Sequence, residues 1–166
     1  LSMYAATKKS NELMAHAYSY LYDIPISGLR FFTVYGPWGR PDMALFIFTQ
    51  KILAGERIDV FNNGKHKRDF TYIDDIVNGT KKAIDKDFKY EIFNLGNNKA
   101  ENLMDVVSVI ENEIGKKAII EFQPKDFSEI IETCADIEYS KQKLAYSPQI
   151  NIDKGIPKFV EWYKEY

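Results

Sequence analysis

Gly28-Leu29-Arg30-Phe31-Phe32-Thr33-Val34-Tyr35-Gly36-Pro37-Trp38-Gly39-Arg40-Pro41-Asp42-Met43-Ala44 is the stretch on which the reading of the fold turns. Residues 28–34 are β-rich and almost continuously apolar, the pattern of a strand covered on both faces, as in a parallel sheet. Residues 35–42 then break both the helical and the strand period and form a special loop. Upstream, Leu13, Met14, Ala17 and Leu21 recur at helical spacing within residues 2–22, and Asp23-Ile24-Pro25 supplies a stop. Tyr4 and Lys8 share one face of this helix.

Working downstream, residues 43–54 read as a helix closed by Gly55, followed by a strand over 58–61 and a turn at Asn62-Asn63-Gly64. Residues 70–72 are a short extended piece, residues 74–84 a helix, and residues 90–95 a strand stopped by Gly96-Asn97-Asn98. The next helix starts near Asn102, which with Asp105 is expected to satisfy early helix N–H groups. Gly115 suits its far end, before a strand over 118–122. Residues 141–144 and 154–166 look helical. Residues 123–132, broken by charges and Pro124, are the least regular stretch and a candidate to close over a ligand. Helix and strand alternate with no internal repeat, which predicts an α/β domain.

The 166 residues, 45% hydrophobic and 28% charged, suffice for one domain with a real core. A formal net charge of −2 argues against nucleic acid or an anionic membrane as partner and leaves a small molecule or another subunit. The single cysteine, Cys134, cannot form an internal disulfide, and no apolar run approaches the ~20 residues of a membrane span. Nothing at residues 1–10 looks like a secretory signal, so a cytoplasmic location is expected and Asn78-Gly79-Thr80 is a chance sequon. His16 lies within an apolar helix and His66 in a basic turn, with no second ligand at metal spacing, so no metal site is expected.

A tyrosine four residues before a lysine on one helix face brings an ammonium near a phenol and favours its phenolate. Alone, such a pair is often just a solvated helix face. Its continuation, Tyr4-Ala5-Ala6-Thr7-Lys8-Lys9-Ser10-Asn11-Glu12, resembles the YxxxK helix of the extended short-chain dehydrogenases/reductases. The stretch 28–44 is similar to the corresponding part of UDP-glucuronate 4-epimerases. Arg68-Asp69-Phe70-Thr71-Tyr72-Ile73-Asp74-Asp75 resembles the RDFxYxxD segment of nucleotide-sugar epimerases and dehydratases, and Phe159-Val160-Glu161-Trp162-Tyr163 their terminal helix. Resemblance covers nearly the whole chain, most firmly residues 4–75. It implies the C-terminal half of an NAD-dependent epimerase/dehydratase, beginning just ahead of its tyrosine. The implied fold is a C-terminal remnant of a Rossmann-type parallel sheet plus a small α/β substrate-binding domain. Residues 1–42 would end the Rossmann portion and residues 43–166 would be mainly substrate-binding.

In such enzymes the tyrosine takes the proton of the sugar 4-hydroxyl while hydride passes to NAD, leaving a 4-keto sugar that turns before hydride returns. The resemblance thus implies Tyr4 as acid/base, Lys8 on the nicotinamide ribose, and Phe32 near the nicotinamide. A 4-keto glucuronate is a β-keto acid prone to lose its carboxylate. Thr33 and Arg40 are the candidates to hold that group still; otherwise they are a β-branched strand residue and a solvated loop charge. Arg68 would pair with the UDP diphosphate, or else make a surface salt bridge. Met43 and Ala44 match backbone near the diphosphate, and Val60 and Phe61 match the short strand set against uracil, although core residues would look the same. Counting back from Thr133-Cys134-Ala135-Asp136 offers Glu129, beside Ser128, for the ribose hydroxyls, with Asp126 as a rival.

No glycine-rich strand-to-helix turn for a dinucleotide pyrophosphate occurs, and Gly36-Pro37-Trp38-Gly39 is too short and Pro-broken to be one. The chain by itself is therefore expected to be inactive and to bind NAD weakly if at all. Its expected partners are a UDP-sugar and a second copy in a homodimer. The competing readings are a UDP-glucuronate decarboxylase or sugar-nucleotide dehydratase fragment, and a non-catalytic remnant that serves only in dimerization.

Overall fold

The computed structural model describes residues 2–124 and 130–166. The first helix, α1 (Met3–Tyr22), starts at Ser2, whose Oγ accepts from Ala5 N at 3.1 Å, and stops at Asp23 in a left-handed conformation. The chain then enters β1 (Ile26–Phe31), and after Phe32 continues as β2 (Thr33–Tyr35). The expected single strand over 28–34 is therefore two strands in two sheets. β1 lies parallel to β5 (Tyr90–Leu95), with Ile26 opposite Tyr90, while β2 lies parallel to β4 (Lys67–Tyr72), with Thr33 opposite Phe70. Phe32 is the switch: its N–H still donates to Leu95 O at 3.3 Å, and its carbonyl accepts from Val34 N at 3.0 Å.

β3 (Arg57–Val60) pairs in parallel with β7 (Ile119–Phe122), and β4 also takes a short antiparallel neighbour, β6 (Ala100–Asn102). Helices α2 (Ala44–Ala54), α3 (Ile73–Ile84), α4 (Leu103–Ile114), α5 (Glu138–Leu144) and α6 (Ile152–Glu165) alternate with these strands. A 3₁₀ turn, Phe61–Gly64, takes the place of the expected Asn-Asn-Gly turn.

Two apolar clusters hold the elements together. The larger gathers Phe48 and Ile52 of α2, Ile58 and Val60 of β3, Phe70 of β4, Val106 and Ile110 of α4, and Ile156 and Phe159 of α6. Each such side chain, taken fully out of water, contributes roughly 1.5–3 kcal/mol. The smaller cluster packs Phe93, Leu95, Ile137, Leu144 and Tyr146 around β5 and α5.

Buried carboxylates tie these parts to each other. Asp69, fully buried, accepts from Asn97 N (2.7 Å), Ala135 N (2.9 Å) and Thr71 Oγ1 (3.0 Å). Asp75 accepts from Gln149 N (3.0 Å) and Ile150 N (2.9 Å).

Two sequence expectations fail here, and the apolar positions that marked α1 as a helix are not buried. Leu13, Met14 and Leu21 are exposed, at 64, 55 and 68%, because α1 rests on the body through other residues: Ser19 Oγ donates to Lys89 O at 2.6 Å and Glu12 O accepts from Tyr90 Oη at 2.8 Å. β1 is not covered on both faces, since Arg30 and Phe31 are exposed. Asn102 is the N-cap of α4 but makes no side-chain cap; its amide instead donates to Asp105 Oδ2 at 2.9 Å. Among the described residues no helix is long and apolar enough to cross a membrane.

Candidate active site

The first turns of α1 set Tyr4 and Lys8 one above the other, and the Lys8 ammonium lies 5.6 Å from the centre of the Tyr4 ring. That is the arrangement an i,i+4 pair on one helix face dictates. Both side chains line an open groove of about 710 Å³ together with Lys9, Glu12, Arg30 and Phe31. Arg30 Nε and Nη2 donate to the two Glu12 carboxylate oxygens at 2.6 and 2.8 Å. Hydrogen bonding to Arg30, and then to Lys9, holds the Glu12 carboxyl down at about 2. The fork fixes α1 against β1, and so fixes where Tyr4 stands.

A second cleft, of about 480 Å³, opens where β2 begins, α2 begins and the 3₁₀ turn leaves β3. Thr33, Met43, Ala44, Phe61 and Arg68 line it together. The N-terminus of α2 faces this cleft through Ala44, and Met43 provides no side-chain cap to its first N–H groups. Such a helix end favours negative charge. Arg68 adds a guanidinium, oriented by hydrogen bonds from Nη1 to the carbonyls of Lys67 (2.9 Å) and Ile131 (3.1 Å).

Arg40 borders a smaller pocket that shares Thr33 and Met43 with the large cleft. Its Nε and Nη2 donate to Asp42 at 3.0 and 2.5 Å. The guanidinium is raised above its ordinary range by this hydrogen bonding, then by the Asp42 charge, with a smaller contribution from Tyr4. Asp42 is correspondingly lowered by Arg40. Two of the five guanidinium N–H groups are used in this fork, leaving others for a ligand.

Residues 1–96 match the NAD dependent epimerase/dehydratase family. The chain belongs to this family. A UDP-glucuronic acid 4-epimerase from Bacillus cereus, in complex with UDP-glucuronic acid and NAD, superposes with a TM-score of 0.93 at 36% identity. The match covers 99% of this chain and 53% of that one. UDP-glucuronate 4-epimerase 4 of Arabidopsis thaliana is 42% identical over 99% of this chain and 42% of its own length. An uncharacterized protein of Methanocaldococcus jannaschii is 51% identical over 99% of this chain and 51% of its own. The chain spans about half the length of the curated relatives it matches. Its α/β fold is that of the epimerase structures.

Within this family member the expected site residues fall into distinct places. Tyr4 and Lys8 share the groove, while Thr33, Met43, Ala44, Phe61 and Arg68 share the cleft that Arg40 adjoins. Val60 does not line the cleft: it is fully buried in the larger core, because alternation along β3 turns it inward with Ile58. Phe32 packs on the smaller cluster, half-buried. Glu129, beside Ser128, and its rival Asp126 lie outside the described residues.

Sequence reasoning passed over Asp42, Lys51, Asp59 and His66, which also line the cleft. Period-two alternation would have found Asp59, because it points away from the face that buries Ile58 and Val60. Lys51 Nζ stands 3.9 Å from Asp59 Oδ2, and Asp59 Oδ1 accepts from Gln123 Nε2 at 3.0 Å. Among the described residues no group of three or more His, Cys, Asp or Glu side chains could hold a metal ion.

Proposed function

We propose that the chain is the substrate-binding half of a nucleotide-sugar 4-epimerase that interconverts UDP-glucuronate and UDP-galacturonate, with residues 1–42 completing a Rossmann portion and residues 43–166 mainly holding substrate. The observation that carries the reading is the convergence of Thr33, the α2 N-terminus at Met43 and Ala44, Phe61 and Arg68 on one cleft beside Arg40. The α2 dipole and Arg68 suit a diphosphate, Phe61 offers an aromatic face to a base, and Thr33 with Arg40 suits a uronate carboxylate.

The chain's residues fit one end of NAD. Lys8, exposed beside Tyr4, can donate to a ribose hydroxyl, whereas residues 1–166 contain no glycine-rich turn for the pyrophosphate. NAD, when bound, would accept and return the hydride at the sugar C4. Tyr4 would take the proton from the 4-hydroxyl and later return it, with the Lys8 ammonium stabilising the phenolate. Thr33 and Arg40 would keep the carboxylate of the 4-keto sugar from aligning with the carbonyl π system, and so hold back decarboxylation.

The exposed apolar residues of α1, among them Leu13, Met14 and Leu21, support a homodimer, which light scattering on the eluting protein would detect. The function is tested by incubating UDP-glucuronate and NAD with a protein that joins this chain to a glycine-rich nucleotide-binding part. UDP-galacturonate is the expected product. Release of carbon dioxide with a UDP-pentose would instead make the enzyme a decarboxylase. The 166 residues alone are expected to turn nothing over.

A further inference from the structure

The chain has two tryptophans, and they touch. Trp38 lies in the loop between β2 and α2, and its ring centre is 5.5 Å from that of Trp162 on α6. Trp162 in turn packs at 5.8 Å on Phe159, which is buried in the larger core. Tyr166 stacks on Trp162 at 5.1 Å and meets Trp38 edge-on at 5.7 Å. A continuous series of rings therefore runs from the core, along α6, to a loop residue that is itself 78% exposed.

Trp38 sits at φ +61, a left-handed conformation that a bulky side chain adopts at a cost. The surroundings enforce it. Gly36 has φ +145 and lies so close to Ile73 that no side chain would fit, and Gly39 N donates to Gly36 O at 3.1 Å. The ring contacts with Trp162 and Tyr166 are what favour this backbone shape over relaxation into solvent. Two residues beyond Trp38 comes Arg40, whose fork to Asp42 is internal to the same loop and cannot by itself anchor the loop to the body. The Trp38–Trp162 contact adds an anchor to α6, beside the packing of Gly36 on Ile73.

We propose that Trp38 and Trp162 are positioning residues for Arg40: the aromatic clasp on α6 fixes the loop so that the guanidinium points to the Thr33 end of the cleft. α6 thereby contributes to recognition of a sugar carboxylate that it never touches. The inference rests on the carboxylate role given to Arg40 above. It makes discrimination between UDP-glucuronate and UDP-glucose depend on a pair of indoles outside the cleft.

The test is calorimetric titration of the 166-residue chain with UDP, UDP-glucose and UDP-glucuronate, alongside circular dichroism of the coupled indoles. The wild-type chain should bind UDP-glucuronate about tenfold more tightly than UDP-glucose, the factor one charge-assisted hydrogen bond supplies. Trp162→Leu and Trp38→Leu should each lose the indole couplet and the discrimination while keeping the affinity for UDP, and Trp162→Phe should recover much of the discrimination. Trp38 is exposed, so its variant keeps the test decisive even where Trp162→Leu unfolds. Lost discrimination in Arg40→Gln but not in Trp38→Leu overturns the clasp and leaves the carboxylate reading standing. Retained discrimination in Arg40→Gln, or no binding of any UDP-sugar, overturns that reading and the clasp with it.

Discussion

Arg30 grips Glu12 through both Nε and Nη2, at 2.6 and 2.8 Å, and this fork couples the helix that carries Tyr4 and Lys8 to the first strand of the body. The Glu12 carboxyl titrates near 2 in the folded chain, below its ordinary 4.5, chiefly because of the hydrogen bonds from Arg30. The folded state thus binds fewer protons than the unfolded one across that interval. The stabilisation is complete above pH 4.5 and is lost as pH falls towards 2. Arg30 is half exposed, so solvent screening limits the pair to about 0.5–1 kcal/mol. Melting temperatures of the wild type and Arg30→Met should differ at neutral pH and converge as the solution is acidified towards pH 2.

Tyr4 is 71% exposed and bears no packing load. Tyr4→Phe should therefore leave the melting temperature and UDP affinity unchanged. In a protein completed with a glycine-rich NAD-binding part, it should lower turnover of UDP-glucuronate by roughly 10²–10⁴-fold, the usual contribution of a positioned acid/base. A steady-state assay with both nucleotide sugars checks this, and an undiminished rate would remove Tyr4 from the proton-transfer role.

Arg68 reaches the cleft while its Nη1 donates to two backbone carbonyls. Arg68→Met should weaken UDP binding about tenfold or more, because the diphosphate loses a charge-assisted partner. Arg68→Lys should recover only part of that affinity, since an ammonium cannot reproduce the fork. Equal affinities of wild type and Arg68→Met for UDP, measured by calorimetry, would contradict the diphosphate role.

Asp69 is a stability residue rather than a site residue. Its carboxylate satisfies two backbone N–H groups and the Thr71 hydroxyl with no exposure to water. Asp69→Ala strands those donors and should cost about 3 kcal/mol or more of unfolding free energy, readable as an earlier urea midpoint. A near-neutral midpoint would mean that the surrounding backbone finds other partners.

Some of this was legible in the sequence because it is local. Gly55 and Gly115 end α2 and α4 at φ +70 and +75, a conformation that glycine adopts freely. Tyr4 and Lys8 could be paired because helix geometry alone brings them onto one face. What escaped depends on neighbours distant in sequence. The run through residues 28–34 looks like one strand, yet the change of partner at Phe32 is decided by where β4 and β5 lie. β6 has three residues, too few for a period, and exists because β4 offers it an edge. Leu13, Met14 and Leu21 mark an apolar stripe, but a stripe does not say what covers it. The Arg40–Asp42 fork and the Trp38–Trp162 contact follow from the shape of a loop and the placement of α6, neither of which periodicity encodes.

The cleft framed by Thr33, the start of α2, Phe61 and Arg68 is the UDP-sugar site we propose. Calorimetric titration of the 166-residue chain with UDP, UDP-glucuronate and NAD tests it most directly. A UDP-sugar site there gives saturable binding of UDP and tighter binding of UDP-glucuronate, with little or none of NAD. Absence of heat from all three would contradict it and leave the chain as a module that folds or dimerizes without binding nucleotide.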